Sequence, residues 1–347
     1  MEKVRAIIKE VGLPRVIIIA FLALLIVLAA AYRIPLVPLL GDVLTRTLIN
    51  GLFVLAMLPT IASGIGPNFG LPLGILAGLI GLLLAVEWNL TGFTAIFVAM
   101  LTSTPLAIVA GAAYGWLLNK VKGSEMMVAT YVGFSLVSLM NIGWTVLPFQ
   151  SPILRWPIGR GLRATVTVAD FFEKVLDGFW DFSIGGFVIP TGLILAFLIP
   201  CGLVWLFMRS KTGLAMKAVG DSRQFAEASG LNVDKYRILG AVLSTVIGAI
   251  GIVVFSQSFG FIQLYEAPMF MGFAAVAAIL IGGASVRRAN VTNVIVGTIL
   301  MQALLVIALP VAGKMIVGGM GGAAEITRII VSNGIILYAL AQVGGGD

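Results

Sequence analysis

Runs of about 20 mostly apolar residues, nearly free of charge, follow one another along this chain, each long enough to cross a hydrocarbon core as a helix. In lipid every backbone N–H and C=O must find its partner inside the protein, which leaves helices and closed barrels. Barrel strands need only about half this length. With 60% of residues hydrophobic and 11% charged, no soluble core could hold them. The expected fold is all-α, a polytopic transmembrane helical bundle of about ten spans forming one domain over residues 1–347. The spans fall near residues 16–32, 45–63, 69–86, 92–118, 125–148, 184–208, 237–257, 268–286, 291–309 and 327–343. The third is the least regular, because Ser63 to Pro72 is an uncharged Gly/Pro-rich break that can itself sit within the membrane. The first follows Lys3, Arg5, Lys9 and Arg15 and lacks a small-residue cleavage site, so it reads as a retained helix.

Lys and Arg set the orientation, since cytoplasmic loops carry an excess of them. Ten spans put Lys3, Arg5, Lys9, Arg15, Lys120, Lys122, Arg209, Lys211, Lys217, Arg223, Lys235, Arg237, Arg287 and Arg288 on one side. The other side holds only Arg33, Arg46, Arg155, Arg160, Arg163, Lys174, Lys314 and Arg328. Both termini are therefore expected inside (N-in/C-in). The net charge of +7 gathers at the cytoplasmic face, where anionic lipid explains it better than nucleic acid does. Two polar segments stand out. The outer loop 150–182 repeats Phe171, Phe172, Val175 and Phe179 at helical spacing, which predicts an amphipathic helix on the membrane surface. Such a helix serves either as an interfacial anchor or as a contact for a soluble partner outside. The cytoplasmic segment 210–237 is too long for a turn and too patterned for a linker.

Enzyme chemistry finds little support. The chain has no His and a single Cys, Cys201, within a span, which excludes disulfides, thiolate-rich metal sites and His-based acid–base work. There is no phosphate-binding G-x-x-x-x-G-K-[ST] loop. The glycines at 318, 319, 321 and 322 lack a preceding strand and read as a flexible connection. Neither catalytic residues, nor a cofactor, nor a metal is expected. Glu87, Glu125, Arg46 and Glu266 fall near predicted helix ends, whereas ion-driven transporters place ionisable groups at mid-membrane. The interior polar groups are neutral: Asn50, Ser103, Thr130, Ser135, Asn141, Ser244, Gln257, Asn293, Gln302 and Asn333. Such amides and hydroxyls suit a weakly binding path for an uncharged, hydroxyl-rich solute, or else hydrogen bonds between helices. Asn50, Thr130, Ser135, Asn141, Gln257 and Asn333 are the candidates for that path. Gly70, Gly74 and Gly78, with Gly111 and Gly115 at the same spacing, predict close-packed helix faces.

Within the cytoplasmic segment, Asp221 is placed to cap a helix of about eight residues, roughly 12 Å long, starting at Ser222. Gln224 falls at its third position, Gly230 stops it, and Asp234 can cap the next membrane helix. Phe225, Ala228 and Ser229 share one face, Arg223 and Glu227 another. A helix of that size can seat in a groove of a soluble partner.

The stretch from Thr212 to Val253 resembles the coupling region of ABC importer permeases of the ribose/simple-sugar and branched-chain amino acid group. Thr212, Gly213, Ala218, Gly220, Asp221, Ala226, Glu227, Ala228, Ser229, Gly230, Leu231 and Val233 carry the likeness, as does Ala274 to Ser285 (AAVAAILIGGAS). The sequence departs from the sugar permeases at Gly66-Pro67-Asn68-Phe69-Gly70-Leu71, which lacks their acid and Ser, and at Arg287-Arg288-Ala289. The resemblance implies a permease subunit without enzymatic activity. It would pair with a second permease as a homo- or heterodimer, dock two ABC ATPase subunits inside, and receive solute from a soluble binding protein outside. ATPase coupling would fall to Asp221, Arg223, Phe225, Glu227, Ala228, Ser229 and Gly230. A simple sugar is the leading solute, with a nucleoside or a branched-chain amino acid as alternatives. A self-contained secondary transporter is the reading from another class.

Overall fold

The computed structural model describes residues 13–157, 161–265 and 267–315, together with Gly334. The expected tenth span, the glycines near 320, and Arg160, Glu266, Arg328 and Asn333 lie outside the described residues. Five helices precede the outer loop: α1 (Leu13–Ala31), α2 (Leu36–Ala62), α3 (Pro72–Glu87), α4 (Gly92–Lys120) and α5 (Glu125–Val146). The outer loop carries β1 (Thr165–Thr167), β2 (Phe182–Ile184) and β3 (Phe187–Ile189). Then come α6 (Thr191–Arg209), α7 (Lys211–Asp221), α8 (Arg223–Ala228), α9 (Val233–Phe259), β4 (Phe261–Gln263), α10 (Ala267–Ile281) and α11 (Val291–Met315). Six of these helices, α2, α4, α5, α6, α9 and α11, are long and apolar enough to cross a membrane, while α1, α3 and α10 are shorter apolar helices. These nine correspond to the first nine expected spans. The two largest boundary shifts are at α2, which begins at Leu36 and takes in Asp42 and Arg46, and at α6, which begins at Thr191 after a hairpin in place of its expected first turns.

The bundle is organised around α9. Its buried residues include Gly240, Ala241, Ser244, Thr245, Gly248, Ala249, Gly251 and Ile252, and α2, α3 and α4 pack against it. The glycine ridges make this possible. A Cβ at Gly74 would stand 3.0 Å from Thr245 Cα, and one at Gly78 would meet the Ala249 carbonyl. On α4, a Cβ at Gly111 or Gly115 would come within 2.8 Å of Val242 Cα or Ile238 Cα. Helix α9 thus lies in a cradle of backbone, where small residues let main chains approach. Thr245 Oγ1 lies 2.9 Å from the Ala107 carbonyl and links α9 to α4. The opposite faces of α4 and α5 expose Phe97, Leu101, Val109, Tyr131, Leu139 and Ile142, as a lipid-bathed protein requires.

The loops segregate to two ends. At one, Lys122 pairs with Asp234, Arg237 with Glu125, Arg288 with Asp221, and the Arg15 guanidinium donates to the Gly282 carbonyl. At the other, the Gln150 and Ser151 amides donate to Glu87, and the outer loop folds over the end of α9. That loop corrects the expected amphipathic helix. Residues 170–180 are turns, with Phe171 and Phe172 buried. The Lys174 and Leu176 amides donate to the carbonyl and the Oε1 of Gln257, while Asp177 accepts from Gln257 Nε2 at 2.9 Å and from Ser258 at 2.7 Å. The aromatic spacing is thus not that of a helix: Phe171 and Phe172 are buried and Phe179 packs on Phe93 of α4. The fold also contains β-structure absent from the expectation: β1 pairs antiparallel with β4, and β2 with β3 across Gly185-Gly186, both at positive φ as a tight hairpin turn demands.

Replacing Gly74 by Val drives a branched side chain into the α9 backbone. It should destabilise the protein by about 1–3 kcal/mol or more, read as a lower unfolding midpoint in detergent. Gly41→Ala, where nothing lies within 4 Å of the added Cβ, should leave the midpoint unchanged or slightly raised.

Candidate functional site

The segment joining α6 to α9 is built from consecutive caps. Ser210 accepts the Gly213 N–H at 3.2 Å to start α7, which buries Gly213, Met216 and Val219. At Ser222 the backbone extends (φ −155°, ψ 108°), and the Ser222 hydroxyl accepts the Phe225 N–H at 3.3 Å to start α8. The cap is therefore Ser222, not the expected Asp221, and α8 has six residues instead of about eight. Ending α7 one residue later frees the Asp221 carboxylate for Arg288, 3.0 Å away. Gly230 stops α8 as expected, at φ 78°, with its N–H on Glu227 and that of Leu231 on Ala226, the bonding pattern of a glycine helix stop. The cap of α9 is Asn232, which accepts the Lys235 N–H; the expected Asp234 instead pairs with Lys122 at 2.8 Å. In each case a neighbouring side chain, one residue later at Ser222 and two earlier at Asn232, has the geometry to accept from the first turn.

Helix α8 is anchored by one residue. Ala226 is buried in a small cluster with Val219 and Val233, while Asp221, Arg223, Phe225, Glu227, Ala228, Ser229 and Gly230 are all exposed. Phe225, at 66% exposure, is a large apolar side chain offered to solvent. Arg223 and Glu227 close an i,i+4 pair at 2.8 Å, whose hydrogen bond raises the Arg223 pKa above its ordinary value. The result is a knob with an apolar tip and a charged flank, a form suited to a groove in a partner.

The root of this knob rests on the break in the membrane helices. A Cβ at Gly220 would collide with the Ala62 carbonyl, and Gly64, at φ 75°, meets Gly220 Cα in return. Two glycines thus let α7 sit backbone to backbone on the end of α2. Beyond Gly64 the chain runs inward without helical structure to Pro72, and most of it is buried. Non-helical backbone at membrane depth survives only where protein satisfies it, and Asn68 is the means. Its Nδ2 donates to Ser244 Oγ at 2.7 Å, and its Oδ1 accepts from the Tyr114 hydroxyl at 2.8 Å and the Gly70 N–H at 2.9 Å. One amide therefore ties the break to α4 and α9. Sequence reasoning placed Ser244 among interior polar groups but not Asn68 or Tyr114; a lone amide inside an apolar Gly/Pro break was the available signal.

The Ala274–Ser285 motif completes the site. Gly282 packs on the α11 backbone and Gly283 ends α10 at φ 84°. Ser285 Oγ then accepts the Arg287 and Arg288 N–H groups at 3.3 and 3.0 Å, which turns both arginines toward the α7–α8 corner. Behind them Arg237 is buried and bonded to Glu125 at 2.6 Å.

Five of the six expected path residues fall within the described residues. Asn50 donates to its own helix at the Arg46 carbonyl, as Thr130 does at Met126. Ser135 is exposed on α5, in a groove with Val128, Tyr131 and Leu139. Asn141, also on α5, keeps a buried Oδ1 without a partner. Gln257 is buried and committed to the outer loop, and Asn333 lies outside the described residues.

Asn68→Ala leaves the Tyr114 and Ser244 hydroxyls without their amide partner in the interior, at an expected cost of about 1–3 kcal/mol. Asp221→Asn breaks only an exposed pair and should cost less than about 1 kcal/mol. Unfolding midpoints of the two variants should therefore differ clearly, with only Asn68→Ala shifted.

Known proteins align with the same regions. A tyrosine transport system permease protein of Clostridioides difficile is 28% identical over 124 residues, 34% of this chain and 41% of that protein. A nucleoside ABC transporter permease protein, NupC, of Lactococcus lactis is 29% identical over 104 residues, 30% and 31% of the two chains. The autoinducer 2 import system permease protein LsrC of Enterobacter sp. is 24% identical over 219 residues, 63% of this chain and 56% of that one. The chain thus spans about a third to just over half of these relatives' lengths. No solved structure matches it. Residues 39–340 match the family described as branched-chain amino acid transport system, permease component, and with its apolar helices the chain belongs to that family of multi-pass inner-membrane ABC permeases.

Proposed function

We propose that this chain is the membrane subunit of an ATP-driven importer for a small uncharged polar solute, a simple sugar first among them. The observation that carries this reading is the α7–α8 corner. It exposes α8 on nearly every side at one end of the molecule and roots it, through Gly220, on the break in the membrane helices. An ATPase gripping Phe225, Glu227 and their neighbours would pull on that break, and so switch the protein between outward- and inward-facing states. The corner then lies in the cytoplasm, with ten spans, both termini inside, and a soluble binding protein delivering solute to the outer loop.

The preference for an uncharged solute rests on the interior. Among the described residues the one buried charge is Arg237, already paired with Glu125 near the end that carries α8. A zwitterionic amino acid would need counter-charges along its way, whereas sugars and nucleosides need only hydroxyls and amides. Nucleosides are the second reading, supported by the aligned nucleoside permease. A second permease subunit would close the path against α5, whose stripe Met127, Tyr131, Ser135, Leu139, Ile142 and Val146 is exposed and which no described element covers.

Purification from mild detergent should yield a stoichiometric complex with a P-loop ATPase and ATP-dependent solute uptake in liposomes. Gly230→Pro, which forces a negative φ onto a position at 78°, and Glu227→Arg should leave the chain in the membrane yet abolish coupled uptake. Wild-type uptake by both variants would remove the role given to α8. For pairing, Ser135→Cys in a Cys201→Ala background should form a disulfide between two permease subunits on mild oxidation, either in a homodimer or with a matching cysteine in the partner. Failure of every such pair along α5 would move the interface elsewhere.

A further inference from the structure

A cavity of about 390 Å³ lies between the α7–α8 corner and the membrane helices, and neither the fold nor the coupling role accounts for its lining. Its walls come from four separate pieces of the chain: Ser63 and Gly64 at the break, Val219 to Gln224 at the corner, Val233 and Arg237 at the start of α9, and Arg287 from the α10–α11 turn. Three guanidiniums, Arg223, Arg237 and Arg287, face one carboxylate, Asp221. Counting their ion-pair partners Glu227, Glu125 and Arg288, four arginines meet three acids. Arg237 is decisive. It is 5% exposed, its terminal nitrogen is held by Glu125, and its Nε donor is buried with no hydrogen-bond partner. The Ser285 turn brings a further arginine, Arg287, to the same space, where it makes no ion pair among the described residues.

We propose that this cavity is a binding site for a phosphate-type oxyanion, either a free cytosolic phosphate ester or the phosphate of an anionic lipid headgroup. Arginine forks match the planar oxygen edges of phosphate and give short, charge-assisted bonds, and the cavity has room for a phosphate with a small organic substituent. A bound oxyanion would join the corner, α9 and the α10–α11 turn. It would therefore favour the arrangement in which these pieces stand together, by the difference in its affinity for the two states. In the proposed importer it acts as a brake on the movement of α8. The site itself does not depend on the importer reading, and failure to bind phosphate would leave that reading untouched.

The test uses the full chain in a neutral detergent, with unfolding midpoint measured against inorganic phosphate and against chloride at matched ionic strength. A saturable rise with phosphate, absent with chloride, is expected, and Arg287→Gln should raise the half-saturating concentration by about tenfold or more, the loss of one charge-assisted hydrogen bond. Equal responses to phosphate and chloride, or an unchanged response in Arg287→Gln and in Arg223→Gln alike, would overturn the site. Repeating the titration in nanodiscs separates the two sources. If phosphatidylglycerol discs abolish the phosphate response that phosphatidylcholine discs preserve, the headgroup is the occupant. If both preserve it, the occupant is a free phosphate.

Discussion

Everything in this molecule depends on main chains that touch. Helix α9 fits between α3 and α4 because Gly74, Gly78, Gly111 and Gly115 carry no side chain where its backbone passes. Lipid supplies no hydrophobic force between helices, so association rests on close van der Waals packing and a few hydrogen bonds. Larger residues at those four positions would force the helices apart and loosen both terms together. The same device recurs between α10 and α11, where Gly282 and Gly297 lie against each other's helices. It recurs again between the α7–α8 corner and α2, at Gly220 and Gly64. The glycines are thus a set of contact points at which one rigid element bears directly on another.

That set has a mechanical consequence at the break in the membrane helices. Helix α3 has 16 residues, which makes it too short to cross the core by itself, and the nine residues before it run through the protein interior without helical hydrogen bonds. Beside turn hydrogen bonds such as Gly64 N–H to the Ile61 carbonyl and Ile65 N–H to the Thr60 carbonyl, a buried amide, Asn68, ties them to Tyr114 and Ser244. A polar network in a low-dielectric interior is rigid while every member is satisfied and costly when one is not. A shift of the α7–α8 corner pushes on Gly64, four residues away, so it reaches this network with no flexible linker between. A change of state in the proposed transport cycle would then have to keep the Asn68 bonds or exchange all of them at once.

How much of this was legible in the sequence follows from which forces are local. The apolar helices are written in runs of apolar residues, because lipid imposes length and composition on each run separately. The glycine ridges are legible for the same reason, since i,i+4 spacing is a property of one helix. Caps are harder. Asp221 and Ser222 are both competent cap residues side by side, and the choice between them is made by Arg288, which lies 67 residues away and claims the Asp221 carboxylate. The outer loop misled for a related reason. Phe171, Phe172, Val175 and Phe179 have the period of a helix, yet the polar groups of Gln257 and Ser258 at the end of α9 capture this loop's amides and its Asp177 carboxylate. Asn68, Gly220 and Arg237 could not be ranked at all by spacing, because each acquires its meaning from residues far along the chain.

Gln257 shows what the expected path residues become when long-range contacts are counted. An amide near the end of a membrane helix has the right chemistry to touch a passing solute, but here each of its polar atoms is engaged by the outer loop or by its own helix. Helix α9 is therefore fixed at both ends: to the α7–α8 corner through Val219, Ala226 and Val233, and to the outer loop through Gln257 and Ser258. Between those ends it is one uninterrupted helix of 27 residues without proline, roughly 40 Å long at the usual helical rise. Such a rod tilts or slides as a unit more readily than it bends. A displacement that carries α9 with the corner would then reach the outer loop as well. The two polar segments that stand apart in the sequence are in this way two ends of one lever, and the glycine cradle around Thr245 is its bearing.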